Sequence, residues 1–124
     1  MGLRYTGVRV TDLDPSLDFY TRLMGLREAR RGRASHGGVW VLLQDPRTKQ
    51  RLELNWYPPG SPFSARYVPG EGLDHIGFRV PNAATAYRRL RALGARPALS
   101  PRDAQGMRGI YYVLDPDGNW VELF

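Results

Sequence analysis

The 124 residues, 42% hydrophobic and 24% charged, suit a single domain that buries a core without disulfide or metal staples. With no cysteine, a disulfide framework, a thiolate metal site and a cysteine nucleophile are excluded, so any metal must be held by His, carboxylate or phenolate groups. The net charge of +6 comes from dispersed arginines, Lys49 being the only lysine; that dispersal, with no apolar run of spanning length, leads us to expect a cytoplasmic protein that binds neither nucleic acid nor membrane.

The first predicted strand is Tyr5-Thr6-Gly7-Val8-Arg9-Val10. After it, Leu13, Leu17, Tyr20 and Leu23 recur at the spacing of one helix face. Asp14 is the expected N-cap, with Pro15 at the first helical position and Gly25 as a left-handed stop. Strands are predicted at 27–33, 38–44 and 51–57, with His36 in an exposed Ser-His-Gly-Gly turn between the first two. In the last of them alternation sets Glu53 on the face opposite Leu52 and Leu54. Residues 58–72, dense in Pro and Gly, read as a linker.

His75-Ile76-Gly77-Phe78-Arg79-Val80 then repeats the first strand at a constant offset of 70. Asn82 is the expected cap of a second helix with Ala83, Tyr87, Leu90 and Leu93 on one face and Gly94 as its stop. The offset between Gly25 and Gly94 is 69, so the first copy carries one extra residue near Met24. Strands at 96–99, 109–114 and 118–124 follow, with Asp117-Gly118-Asn119 as a hairpin turn. VWVLLQDP (39–46) resembles IYYVLDP (110–116), and RLELNW (51–56) matches NWVELF (119–124), placing Glu53 on Glu122.

Each copy, 3–57 and 73–124, is therefore strand–helix–strand–strand–strand. The expected fold class is α+β: a single domain, 1–124, in which two βαβββ modules form one eight-stranded half-barrel sheet with outer helices and a concave inner face for a ligand. Tyr5 and His75, and Glu53 and Glu122, are repeat-equivalent. Two-fold symmetry would bring the four together, and one imidazole with two carboxylates suits a divalent ion such as Mn, Fe, Co, Ni, Zn or Mg. Such an ion would remove the cost of burying two carboxylates. The competing account pairs the glutamates with Arg9 or Arg79.

YTGVRV…DLDPSLDFYTRLMGL, HIGFRV and the ending DPDGNWVELF resemble the glyoxalase/bleomycin-resistance/extradiol-dioxygenase family, which has the vicinal oxygen chelate fold. The resemblance covers nearly the whole chain. It implies two βαβββ modules around one metal, with coordination positions left open for vicinal oxygens of a small-molecule substrate. The pattern is nearest to glyoxalase I, whose ligands are His, Glu, His and Glu, and implies Glu53, His75 and Glu122 as metal ligands. Tyr5 stands where the first His is expected; it reads as a phenolate ligand or, preferably, as a group beside the ligands.

The same resemblance implies Arg9 against a glutathione carboxylate, Asn55 and Trp56 at the substrate, a thiol such as glutathione as cofactor, and a homodimer whose ligands come from one chain or two. Tyr57, Phe63 and Tyr67 line the pocket or simply pack. The function implied is that of a metal-dependent lyase or isomerase of the glyoxalase type. Its substrate would be hemithioacetal-like or a hydroxycarbonyl, with Glu122, and Glu53 from the opposite face, moving the proton on carbon. The alternative is a metal-free protein that sequesters a small molecule, as bleomycin binders do. An extradiol dioxygenase comes third, since that chemistry uses two His and one Glu on iron.

Overall fold

The structure is a computed structural model that describes residues 2, 4–35, 37–61, 63–64, 66–71, 73–98 and 109–124. His36 and the end of the strand expected at 96–99 lie outside them. The chain divides into two compact units, Met1–Tyr67 and Val68–Phe124. The first contains β1 (Thr6–Val10), α1 (Leu13–Asp18) continued by a π-wound segment (Phe19–Leu23), β2 (Arg27–Arg33), β3 (Val39–Gln44) and β4 (Arg51–Trp56). The second contains β5 (His75–Phe78), α2 (Ala83–Ala92), β6 (Arg96–Pro97), β7 (Tyr111–Leu114) and β8 (Trp120–Leu123).

The two units share one topology. Their sheets have the orders β1-β4-β3-β2 and β5-β8-β7-β6, with β1 parallel to β4, β5 parallel to β8, and the other pairs antiparallel. The fold is thus α+β with two βαβββ modules and, among the described residues, eight strands, hydrogen-bonded as one sheet of four in each module. The parallel pairing follows from the order of elements: a helix between the first strand and the hairpins carries the chain back across the sheet, which antiparallel hairpins do not need.

One face of each sheet packs the core. In the first unit Val8, Val10, Val41, Leu43, Leu52 and Leu54 are buried with Phe19 and Tyr20; in the second, Val113, Val121 and Leu123 are buried with Leu90. Burial of each such side chain contributes roughly 1.5–3 kcal/mol. With these residues turned to the core, the period of two sends Gly7, Arg9, Glu53 and Asn55 to the opposite face in the first unit, and His75, Gly77 and Glu122 in the second.

The first helix differs from its copy in how it ends. Met24 N–H bonds to the Phe19 carbonyl at 3.0 Å, five residues back, and Leu26 N–H reaches Tyr20 at 3.0 Å. In the second unit Ala95 N–H reaches Leu90 at 2.9 Å, one residue fewer. Tyr20 and Leu90 are repeat partners, as are Leu26 and Ala95, and all four are buried. The extra residue of the first copy is therefore absorbed as π winding, which lets both flanking core contacts stay in place. Gly25 (φ +82°) and Gly94 (φ +98°) stop the helices in the left-handed region as expected.

Two helix expectations are corrected. Asp12, rather than Asp14, caps α1, its Oδ1 accepting from Asp14 N at 3.3 Å. Pro15 then falls third in the helix, where a missing N–H is still harmless because the first turn has no intrahelical acceptors. Asn82 does cap α2, accepting from Thr85 N at 2.8 Å. Leu93, expected on the buried face, is 40% exposed because α2 has already ended there.

Candidate functional site

The strongest constellation lies on β5, β7 and β8. Register pairs His75 with Trp120 and Gly77 with Glu122, so His75 and Glu122 are diagonal neighbours on one face. His75 Nε2 stands 3.4 Å from Glu122 Oε2. Behind each group stands a second one: His75 Nδ1 is 3.2 Å from Asp74 Oδ2, and the Tyr112 hydroxyl donates to Glu122 Oε1 at 3.0 Å. Tyr112 sits across from Glu122 in the β7–β8 register, its ring edge-on to His75 at 6.0 Å and 5.3 Å from the Trp120 ring.

The electrostatics of this pair are informative. Each ring nitrogen of His75 faces a carboxylate, Nδ1 toward Asp74 and Nε2 toward Glu122, so whichever nitrogen carries the proton of a neutral ring, the other presents a lone pair to an acceptor. Burial first, then the adjacent Glu122 carboxylate and Asp74, hold the Tyr112 phenol above its ordinary range, so the hydroxyl remains a donor.

Glu53 lies on β4 in the first unit, paired in register with Gly7 of β1 and Leu42 of β3. Among the described residues no group of three or more His, Asp or Glu side chains is gathered in a metal-holding cluster. Within the second unit, His75 and Glu122 stand together. Tyr5 just precedes β1 and is 47% exposed.

Arg9 is committed within its own unit. Its Nη2 donates to the Arg66 carbonyl at 3.1 Å, and the guanidinium carbon lies 5.3 Å from the Tyr67 ring centroid. The expected alternative, Arg9 paired with Glu53, is therefore not the arrangement found. A cavity of about 650 Å³ opens beside it, lined by Arg9, Asp12, Trp56, Tyr57 and Tyr67 among others. Asn55 is not among its walls; its Nδ2 is 3.5 Å from the Glu53 carbonyl.

Sequence reasoning missed Asp74 and Tyr112. The signal for Tyr112 was present: IYYVLDP aligned on VWVLLQDP puts Tyr112 on Leu42, a polar group replacing an aliphatic one directly across from the repeated glutamate.

A donor pair of this kind fits a divalent ion. Two atoms each about 2.1 Å from one ion stand roughly 3.0–3.4 Å apart at octahedral or tetrahedral angles, the range in which Nε2 and Oε2 lie. The remaining polar atoms of both side chains are engaged by outer partners, as metal-binding imidazoles and carboxylates require.

A family model described as Glyoxalase/Bleomycin resistance protein/Dioxygenase superfamily matches residues 2–123. A lactoylglutathione lyase of Pseudomonas aeruginosa is 32% identical, the match covering 96% of this chain and 79% of that protein. One from Escherichia coli O157:H7 is 30% identical, covering 99% and 91%. Among solved structures, the trypanothione-dependent glyoxalase I of Leishmania major superposes with a TM-score of 0.78 at 24% identity, over 100% of this chain and 86% of that one. An antibiotic binding protein from Streptomyces sp. CB03234 gives 0.69 at 23% identity, over 99% and 93%. No helix among the described residues is long and apolar enough to cross a membrane. With two modules of one topology and a family match across almost the whole length, the chain belongs to the glyoxalase/bleomycin resistance protein/dioxygenase superfamily.

Proposed function

We propose that the protein is a metal-dependent lyase or isomerase of the glyoxalase type, acting on a small substrate with vicinal oxygens. The observation that carries this reading is the approach of His75 Nε2 to Glu122 Oε2, 3.4 Å apart. In this reading Glu53, His75 and Glu122 hold one divalent ion, from one chain or across a homodimer. When bound, the ion supplies Lewis-acid polarisation of the substrate's vicinal oxygens. Glu122 and Glu53 carry the proton between adjacent carbons, each being a carboxylate on the sheet face turned away from its own core. Arg9, which lines the cavity with Trp56, binds an anionic end of the substrate, and Asn55 contacts the substrate from the face of β4 that carries Glu53. The lactoylglutathione lyases at 30–32% identity favour a thiol such as glutathione as the cofactor that forms the substrate.

A second reading, metal-free sequestration of a small molecule, is favoured by one observation: Tyr5, half-exposed, replaces an expected imidazole. Thermal melts separate the two. An ion that binds only the folded state stabilises it by about 2.7 kcal/mol at a hundred times its Kd. The wild type should therefore melt higher with Mn, Co, Ni or Zn, and Glu53→Gln or His75→Ala should erase the shift. A melting curve indifferent to all four ions would leave sequestration as the better reading.

A further inference from the structure

The two repeat-equivalent glutamates are not equally held. Glu122 Oε1 accepts from the Tyr112 hydroxyl at 3.0 Å, which turns Oε2 toward His75. The first unit has Leu42 where the second has Tyr112, and Leu42 is the register partner of Glu53 across β3 and β4, so no phenol is available to Glu53 from that position. The Tyr112 ring is itself in contact with two others, edge-on to His75 at 6.0 Å and tilted against Trp120 at 5.3 Å. A carboxylate on a flexible side chain samples several rotamers unless a second bond selects one.

We propose that Tyr112 is a positioning residue that orders Glu122, selecting which carboxylate oxygen faces His75 and thereby setting the geometry of the site. The inference rests on the pairing of His75 with Glu122 described above and assigns no proton transfer to the phenol. It also accounts for the asymmetry between the copies: the second unit supplies a carboxylate already aimed, whereas the first supplies one without that anchor.

Tyr112→Phe removes the hydroxyl and keeps the ring contacts with His75 and Trp120, so the fold is retained. A crystal structure of metal-free Tyr112→Phe is the direct test. The expected result is a Glu122 carboxylate turned away, with the Nε2–Oε2 approach of 3.4 Å lost. Cobalt titration by calorimetry is the companion measurement. Outer partners of metal ligands typically contribute about 10–100-fold in affinity, so Tyr112→Phe should bind cobalt that much more weakly, with an altered visible spectrum. Tyr111→Phe, whose ring packs on Tyr87 instead, should match the wild type in both. An unmoved Glu122 in Tyr112→Phe overturns the positioning role, whatever the wild type does with cobalt. A wild type that takes no cobalt while Glu122 turns in the variant refutes the metal reading and supports the positioning role.

Discussion

Gly77 lies against Glu122: they are register partners across β5 and β8, and a Cβ on Gly77 would stand 3.4 Å from Glu122 Oε2 and 3.0 Å from the Phe124 ring. The missing side chain leaves room for the Phe124 ring and keeps that side of the carboxylate open. In the first unit the corresponding space at Gly7 is bordered by Asn55 Nδ2, 3.3 Å from where a Cβ would be. Gly77→Ala should push the Phe124 ring aside by a few tenths of an ångström and set a methyl in van der Waals contact with Glu122 Oε2. Phe124 is half-exposed and free to move, so the stability loss should stay under about 1 kcal/mol, a shift in Tm of roughly 5 °C or less. Metal affinity, measured by cobalt titration, should fall much more than stability does. Unchanged affinity in a well-folded Gly77→Ala would count against Glu122 as a ligand.

Lys49 gives a prediction about the scaffold alone. It occupies the left-handed region at φ +65°, where its repeat partner is Gly118 at φ +91°. Left-handed backbone costs a residue with a Cβ about 1–2 kcal/mol, while glycine loses more entropy on folding. Lys49 also donates from Nζ to the Pro46 carbonyl at 2.8 Å, an exposed contact of small value. Lys49→Gly should therefore raise stability by up to about 1 kcal/mol in urea unfolding. A clear loss would show that the Nζ contact outweighs the strain.

The repeat made the architecture readable before any coordinates. A strand written twice at one offset, each copy followed by a helix and paired β-rich runs, fixes the element order, and alternation around Leu52, Leu54, Val121 and Leu123 fixes which face the glutamates take. The nearness of His75 and Glu122 follows from parallel pairing of the first and last strands of a module. Comparison of the copies was also what hid Tyr112, because it draws the eye to positions the copies share, and Tyr112 differs from Leu42. The role of Arg9 was half legible. Its neighbours Arg66 and Tyr67 come from the Pro- and Gly-rich linker, where no periodicity says which way the backbone turns. Asp12 was passed over as a cap because Asp14-Pro15 is the stronger local signal, yet the helix begins two residues earlier.

The π-wound turn predicts that the two helices tolerate deletion differently. Removing Met24 takes out the residue that the first copy has in excess, and an ordinary α-helical ending like that of α2 can then join Tyr20 to Leu26. That variant should unfold cooperatively with near-native helix content by circular dichroism. Removing Ala86 from α2 rotates Leu90, 5% exposed, by about 100° out of the core. The loss should approach the 2–5 kcal/mol of a large core truncation. Equal damage from the two deletions would mean that the extra residue is not a spare turn.

Tyr5 is where this chain parts from the His-Glu-His-Glu pattern, and its setting makes the substitutions clean. It is about half-exposed and precedes β1, so changes there should move stability by no more than about 0.5 kcal/mol. Any change in metal binding can then be read as chemistry at the site. As a group beside the ligands, Tyr5 can lose its hydroxyl without loss of a metal bond, and Tyr5→Phe should bind cobalt as the wild type does. Tyr5→His adds an imidazole at the position repeat-equivalent to His75 and should bind several-fold more tightly. A phenolate ligand gives the opposite result: Tyr5→Phe would bind markedly more weakly, and with less dependence on pH, because metal would no longer displace a phenolic proton. Titrations of all three proteins at two pH values decide between these, and loss of metal in Tyr5→Phe would make Tyr5 a ligand. Glyoxalase turnover that appears only in Tyr5→His would show that the missing imidazole is what separates this chain from that activity.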